Sequence, residues 1–200
     1  ILVRGVKNGE RITVRNKYQP TLFVPVQKKS QYKTLDGRYL TPVKHQSIKS
    51  AKEFLSQYSE QQNLIYGMTR YNFQYISDTW KNEINWKIDD ILVVTIDIEV
   101  ASDNGFPSVE QAQEELLSIT IKNHQSKQIV VFGVDEFKND RDDVHYIKCQ
   151  DEDELIQQFL GFWETHKPDV VTGWNSKFYD IPYLVHRIKI RFGEDEIQRL

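Results

Sequence analysis

The chain has 200 residues and a formal net charge of −3, with 39% hydrophobic and 28% charged residues. This length is enough for one domain or two small ones, and the hydrophobic share is enough for a packed core. The slightly negative charge excludes a strongly basic nucleic-acid-binding protein, so any contact with nucleic acid needs local basic patches or bridging metal ions.

Cysteine and apolar runs limit the class of protein further. Cys149 is the only cysteine, which excludes an internal disulfide or a cysteine-based zinc site and predicts a buried thiol in a reducing compartment. No apolar run approaches the roughly 18 residues of a transmembrane helix, and no signal-peptide pattern opens the chain. Ile1 lies inside a strand-like run and Leu200 directly follows a helical pattern, so we expect both ends to be cuts within a longer protein.

Residues 1–89 are predicted to form a small, mixed, β-rich domain. Its strand candidates are Ile1–Val6, Arg11–Arg15 and Thr21–Val26, and Asp36-Gly37 is a tight-turn signal. Ser47 is predicted to cap a helix. The apolar face of that helix includes Ile48, Ala51, Phe54, Leu55 and Tyr58. The aromatic stretch Tyr66–Trp80 has no clear period and receives no assignment.

Residues 90–200 are predicted to form an α/β domain. Ile91–Val100 is a nearly continuous apolar run rich in β-branched residues, which predicts a strand covered on both faces. Further strands are predicted at 116–121, 128–132, 144–148 and 169–172, and helices at 151–166 and 181–192. This order resembles the ribonuclease-H-like core, in which the first three strands form a meander and the fourth packs beside the first. Together with the first domain, the chain is α+β overall.

Asp97 and Glu99 are the first chemical feature, because they interrupt the apolar run. Residues two apart on a strand project from the same face. Two carboxylates on one face of a central strand repel each other and lose solvation, and a cation between them removes both problems. Such hard oxygen ligands suit Mg²⁺ or Mn²⁺. The alternative is that both acids lie in water at a frayed strand end.

The second feature is the segment Thr172–Leu184. A glycine turn leaves a predicted buried strand, Asn175 follows, and Asp180 stands at the start of a helix that contains Pro182 in its first turn. As local structure, Asp180 is adequate as a helix cap and Asn175 as a loop-shaping residue. In the predicted fold, however, this loop leaves the strand beside the first one and brings Asp180 towards Asp97.

Both features resemble exonuclease motifs of the family B DNA polymerases. Asp97-Ile98-Glu99 is similar to the first motif, and Asn175 through Asp180 is similar to the second. Within the family, the resemblance is strongest to the replicative polymerases of T-even-like phages. It also includes the following segments: Gly105-Phe106-Pro107, Thr172-Gly173-Trp174-Asn175, Ile76–Thr79 and Tyr18–Phe23. The resemblance therefore covers nearly the whole chain.

The resemblance implies a 3′→5′ proofreading exonuclease that uses two ions of Mg²⁺ or Mn²⁺. Asp97 would bridge the two ions, Glu99 would ligate the ion that activates the attacking water, and Asp180 would hold the second ion. Asn175 would contact the terminal nucleotide, and Phe106 would pack against a base of the frayed primer strand. The reaction would release a nucleoside monophosphate from the 3′ end.

One departure from the family pattern weakens the expected activity. The family's third exonuclease motif supplies a tyrosine and a fourth carboxylate downstream, and this chain ends at Leu200 without it. Asp195 and Glu196 do not match that position, because they follow the last predicted helix. We therefore expect a truncated ribonuclease-H-like core that binds metal weakly and hydrolyses DNA slowly or not at all.

The resemblance also implies partners and a location. The partners are DNA, as a single-stranded 3′ end and a template strand, with RNA as a further candidate through residues 1–89. A sliding clamp and other replisome proteins would be reached only through parts of the polymerase outside this chain, and no membrane partner is expected. The expected location is the cytoplasm of the infected bacterial host, without secretion.

Two other functions stay open. One is a non-catalytic platform that binds the template strand or RNA and leaves its carboxylates unused. Lys28-Lys29 and Lys44–Lys52 give the first domain some basic character, although a solvated surface explains these lysines more simply. The other is a stand-alone ribonuclease-H-like nuclease, which needs a fourth acid that the sequence does not supply. The five histidines lack ligand spacing and are expected at the surface or at caps: His45, His124, His145, His166 and His186.

Overall fold

The computed structural model describes residues 1–61, 64–102 and 105–200. The chain forms two compact units, Ile1–Trp86 and Lys87–Leu200. Each unit has its own sheet structure and its own apolar core.

The first unit contains two small antiparallel sheets. Its strands are β1 (Leu2–Lys7), β2 (Glu10–Arg15), β3 (Thr21–Val26), β4 (Tyr32–Lys33) and β5 (Tyr39–Lys44). The hairpin of β1 and β2 turns at Asn8 and Gly9, whose φ angles of +55° and +83° suit a two-residue hairpin turn. The other sheet has the order β3-β5-β4. The strands predicted here are present, and Gly37 turns with the positive φ expected of it.

Two helices complete the first unit, α1 (Ile48–Ser56) and α2 (Tyr71–Thr79). Ser47 caps α1 as predicted, since its hydroxyl accepts a hydrogen bond from the Ser50 backbone N–H. Helix α2 lies in the stretch that received no assignment. Its buried Gln74 side chain forms hydrogen bonds with the backbone N–H and C=O of Thr21. A polar residue therefore occupies a buried helix position at which an amphipathic pattern has an apolar one.

The core of the first unit corrects one expectation. Its buried apolar residues are Leu22, Ala51 and Tyr71, which form one cluster, and Leu40 of β5. His45 is also buried, and its ring packs against Phe54 with centroids 4.9 Å apart, so it is neither a surface nor a capping residue. It follows β5 directly, and its backbone N–H bonds to the Pro20 carbonyl, which fixes the ring towards the interior.

The second unit is a five-stranded sheet with helices. A 3-10 turn at Ile88–Asp90 precedes it. The elements are β6 (Val93–Val100), β7 (Leu116–Asn123), β8 (Ile129–Gly133), β9 (Val144–Lys148), α3 (Glu152–His166), β10 (Val170–Thr172), α4 (Asp180–Phe192) and α5 (Glu194–Ile197). The sheet order is β10-β6-β7-β8-β9. Strands β6, β7 and β8 form an antiparallel meander, and β10 lies parallel to β6, as the ribonuclease-H-like prediction requires.

Helices α3 and α4 pack in one apolar core with one face of this sheet. That core includes Val94, Ile96 and Ile98 of β6, Ile119 and Ile121 of β7, and Phe132 of β8. Cys149 is buried there as a free thiol, as predicted. Asp151 caps α3 through the Glu154 backbone N–H, which confirms that the acidic run marks a helix start.

Strand β6 differs from the prediction of a strand covered on both faces. Its buried residues alternate with Thr95, which is half-buried, and with Asp97 and Glu99, which are exposed. The β-branched composition is that of a central strand. Thr95, Asp97 and Glu99, however, occupy every second position, so they lie together on the sheet face away from the helices. Among the described residues, no helix is long and apolar enough to cross a membrane.

Candidate functional site

The candidate site is built on the second half of β6. Asp97 and Glu99 project from the same face of the sheet, as their spacing predicts, and both side chains are exposed. Their neighbours across the meander are polar as well, because Asp97 is paired with Thr120 and Glu99 with Ser118. The two acids therefore lie in water on the open face, without the loss of solvation expected from the sequence.

Asp180 contacts β6 along the edge that faces β10, opposite the edge paired with β7. Strand β10 ends at Thr172, opposite Thr95, so the rest of β6 has no parallel partner in the described chain. The Asp180 carboxylate occupies this position and accepts a hydrogen bond of 3.1 Å from the Ile98 backbone N–H. Ile98 lies between Asp97 and Glu99, so all three acids are gathered around three consecutive residues of one strand.

This contact overturns the reading of Asp180 as a helix cap. Asp180 is the first residue of α4, and the N-cap position belongs to Tyr179, which makes no side-chain capping bond. The carboxylate instead satisfies a backbone group of a strand that lies 82 residues earlier. Its position is therefore determined by tertiary structure rather than by the helix end.

Burial dominates the electrostatics of Asp180, whose residue is only 3% exposed. Loss of solvation raises the pKa of its carboxyl above the ordinary value, the Ile98 N–H partly offsets this, and the charge of Asp97 raises it again. Burial also raises the pKa of the neighbouring Tyr179 hydroxyl, to which the charges of Asp180 and Glu99 contribute. A bound cation would offset both the lost solvation of this carboxylate and its repulsion by the second acid.

The three acids do not form a finished metal cluster as they stand. Across residues 1–61, 64–102 and 105–200, no three His, Cys, Asp or Glu side chains are grouped closely enough to hold an ion. The donor chemistry nevertheless fits a hard divalent cation, because all three groups are carboxylates and two of them are exposed on one face. The three acids thus lie near one another, but their side chains are not arranged to coordinate one ion together.

The loop between β10 and α4 carries Asn175. Its backbone has a φ of +60°, and its carbonyl accepts hydrogen bonds from the N–H groups of Phe178 and Tyr179, both at 2.9 Å. Asparagine tolerates this left-handed conformation better than most residues. The backbone of Asn175 therefore shapes the loop, while its side chain is exposed and free to contact a ligand.

Phe106 lies next to the same loop, although the segment before it, residues 103–104, is outside the described residues. Its ring contacts that of Tyr179, with centroids 5.2 Å apart and planes tilted by 44°. The Phe106 residue is 87% exposed, so it is not packed in the core for its own sake. The Phe106 ring therefore contacts the residue that directly precedes Asp180 in the chain.

Sequence reasoning missed the contacts that hold the segment after β6 against α4. Three α4 side chains bond to backbone carbonyls of this segment: Tyr183 to Glu114, His186 to Val109, and Arg187 to Ala112 and Gln113. Arg187 also forms a buried ion pair with Glu152 at 2.6 Å. The sequence did contain a signal for this ion pair. Arg187 lies on the same helix face as the apolar Leu184 and Ile188, and a charge on an apolar face needs a buried partner.

Comparison with known proteins gives a family match over most of the chain. Residues 42–199 match the family described as DNA polymerase family B, exonuclease domain. This range includes Asp97, Glu99, Phe106, Asn175 and Asp180.

Individual relatives agree with the family match. The chain is 28% identical over 218 residues to the DNA-directed DNA polymerase of Enterobacteria phage T4 and 29% identical over 220 residues to that of Escherichia phage RB69. Each alignment covers 96% of this chain and 24% of the relative. The DNA polymerase catalytic subunit of Human herpesvirus 7 (strain JI) is 30% identical over 122 residues, covering 58% of this chain and 12% of that protein. The chain thus spans about a quarter of the length of the phage relatives.

Proposed function

The chain belongs to the family B DNA polymerases, whose exonuclease domain it matches, and from this premise we propose that it carries most of a 3′→5′ proofreading site. Residues 1–89 would form an N-terminal polymerase domain, and residues 90–200 a partial, ribonuclease-H-like exonuclease domain. The compact units, Ile1–Trp86 and Lys87–Leu200, support this division.

The observation that carries the proposal is the contact between Asp180 and Ile98. A carboxylate with 3% exposure, bonded to the backbone between two further acids, is costly as pure structure. The same arrangement is useful if the three acids share divalent cations, since a cation offsets both the burial and the repulsion. Asp97, Glu99 and Asp180 would hold Mg²⁺ or Mn²⁺.

The chemistry proposed is hydrolysis of the 3′-terminal phosphodiester with release of a nucleoside monophosphate. Bound metal ions supply an activated water and stabilise the leaving oxygen. The chain's own residues position the substrate: the exposed Phe106 ring stacks on a base, and the exposed Asn175 amide contacts the terminal nucleotide. The Phe106 ring packs against the ring of Tyr179, the residue directly before Asp180 in the chain.

The remaining elements of the proposal follow from the family. The substrate is DNA with a single-stranded 3′ end, and the site of action is the cytoplasm of the infected host. Contacts of residues 1–89 with the template strand or RNA, and of other polymerase parts with a sliding clamp, belong to the whole polymerase. A non-catalytic nucleic-acid platform is the alternative outcome of the test below.

The test measures Mn²⁺ binding to this chain as an increase in thermal stability. We expect Mn²⁺ to stabilise the unmodified chain, by about 2.7 kcal/mol at a hundred times the dissociation constant. Asp97→Asn and Asp180→Asn should each lose most of this gain. Without metal, Asp180→Asn should be more stable than the unmodified chain by roughly 1 kcal/mol at neutral pH, because the amide keeps the acceptor for Ile98 and removes a buried charge.

The matched control is Asp195→Asn, an exposed acid in α5 outside the site. It should respond to Mn²⁺ like the unmodified chain. Release of nucleoside monophosphate from a labelled single-stranded oligonucleotide is followed in parallel; we expect it to be slow or absent in the unmodified chain and no faster in Asp97→Asn. Equal stabilisation of all variants by Mn²⁺, together with retained DNA or RNA binding, would instead support the non-catalytic platform.

A further inference from the structure

The loop between β10 and α4 exposes large aromatic side chains beside the candidate site. Trp174 is 94% exposed and Phe178 is 69% exposed. Exposed rings of this size are unfavourable in water, because they leave a large apolar area in contact with solvent. Two of them on one short loop therefore indicate a surface that contacts another molecule.

The backbone of this loop packs closely against β6 and is hydrogen-bonded within itself. Gly173 passes so close to the sheet that an added Cβ would lie 2.4 Å from the Ile96 carbonyl oxygen. The Asn175 carbonyl accepts the N–H groups of two later residues, and the buried Ser176 bonds through its carbonyl to the Ile181 N–H. Phe178 is therefore presented by an ordered turn.

A cation accompanies the Phe178 ring. The Lys177 ammonium lies 5.1 Å from the ring centroid, in cation–π distance. An aromatic ring offers a face on which any nucleobase stacks, and an ammonium group pairs with a phosphate. The adjacent pair thus matches the two repeating parts of a nucleic acid strand, the base and the phosphate, and its members lie three and two residues before Asp180.

We propose that Lys177 and Phe178 bind one nucleotide of the single DNA strand that enters the candidate site, with Phe178 stacked on the base and Lys177 paired with the phosphate. This inference rests on the proposed function and deepens it, because it adds a strand contact outside the acids, Phe106 and Asn175. Base stacking on Phe178 is independent of sequence, which suits a site that removes any mispaired nucleotide.

The experiment measures binding of this chain to two fluorescent probes of equal length, in EDTA to prevent hydrolysis. One probe is oligo(dT), and the other is a chain of abasic sugar phosphates, which retains the charge and lacks the bases. Phe178→Ala should weaken binding to oligo(dT) about five-fold or more and leave binding to the abasic probe unchanged. Phe178→Trp should retain the preference for bases.

Lys177→Ala has a different expected signature. It should weaken binding to both probes and reduce the dependence of log affinity on log salt by roughly 0.7, as for one lost phosphate contact on a single strand. The matched controls are Ile190→Ala, an exposed apolar residue near the other end of α4, and Lys127→Ala, in the turn between β7 and β8. Both should bind the two probes like the unmodified chain.

The inference is overturned if Phe178→Ala binds oligo(dT) as tightly as the unmodified chain, or loses affinity equally for both probes. It is also overturned if the unmodified chain binds neither probe. These results are distinct from failure of the proposed function, which is decided by Mn²⁺ stabilisation of Asp97→Asn and Asp180→Asn in the absence of DNA. Retained Mn²⁺ binding with no effect at Phe178 would leave the metal site intact and remove only the strand contact.

Discussion

Gly173 determines how closely the Asn175 loop approaches the sheet. Strand β10 is only three residues long, and Gly173 follows it directly, beside the middle of β6. The Ile96 carbonyl occupies the space in which a Cβ of residue 173 would lie. Since Asp180 and Asn175 follow within the next seven residues, a displacement here moves the side chains of the candidate site.

We expect Gly173→Ala to destabilise the chain by roughly 1–3 kcal/mol, because a backbone atom has to move. The matched change is Gly161→Ala in α3, where nothing lies within 4 Å of the added Cβ. That variant should gain about 0.5–1 kcal/mol from the higher helix propensity of alanine. Chemical denaturation measures both changes, and equal effects in the two variants would contradict this account of Gly173.

Helix α4 joins the candidate site to the rest of the second unit. It begins with Asp180 and, one to two turns later, holds the segment after β6 through Tyr183, His186 and Arg187. Burial alone would lower the pKa of the Arg187 guanidinium, but hydrogen bonds with Glu152 and its charge raise it overall. Glu152 also accepts the Leu116 N–H, so one buried pair connects α3, α4 and the start of β7.

We expect Arg187→Met to cost roughly 3–5 kcal/mol of folding free energy, because it leaves the buried Glu152 carboxylate with only the longer ion pair to Arg191, at 3.8 Å. Adding Glu152→Gln should recover part of this loss, since the amide keeps an acceptor for Leu116 and carries no charge. Arg141→Ala breaks an exposed pair with Asp143 and should leave stability unchanged within error. Urea unfolding compares the variants, and an Arg187→Met as stable as Arg141→Ala would refute the role of the pair.

In the whole chain, an exposed stretch of sequence connects the last helix of the first compact unit to the first strand of the second. Helix α2 ends at Thr79 and β6 begins at Val93, and residues 81–89 are all exposed. Only the 3-10 turn Ile88–Asp90 gives this stretch regular structure. Segments of this kind are the preferred sites of proteolysis, because their backbone enters a protease without local unfolding.

Limited trypsin digestion should therefore cut first after Lys81 or Lys87 and give two persistent fragments. The internal comparison is Lys122 in β7, whose side chain is exposed but whose backbone lies in the centre of the sheet. Mass spectrometry of early time points identifies the cuts. A first cut within the meander of β6 to β8 would show that the stretch is not the weak point, and it would argue against two independent domains.

The sequence alone determined the parts of this protein that follow from local periodicity and from family motifs. The two-residue spacing on a predicted strand put Asp97 and Glu99 on one face, the acidic run at 151–154 marked the start of α3, and the element order predicted the meander with β10 beside β6. The family assignment followed from the same residues and is confirmed. The domain limits, the site roles and the metal ions stay predictions.

Which distant groups come into contact depends on the tertiary fold and cannot be read from local sequence. Helix α2 escaped detection because its buried position is filled by Gln74, whose amide is satisfied by Thr21 of a strand 53 residues earlier. The contact of Asp180 with Ile98 and the pair of Glu152 with Arg187 have the same character. Each is a polar group whose cost of burial is met by a partner far along the chain, and local sequence patterns carry no information about that partner.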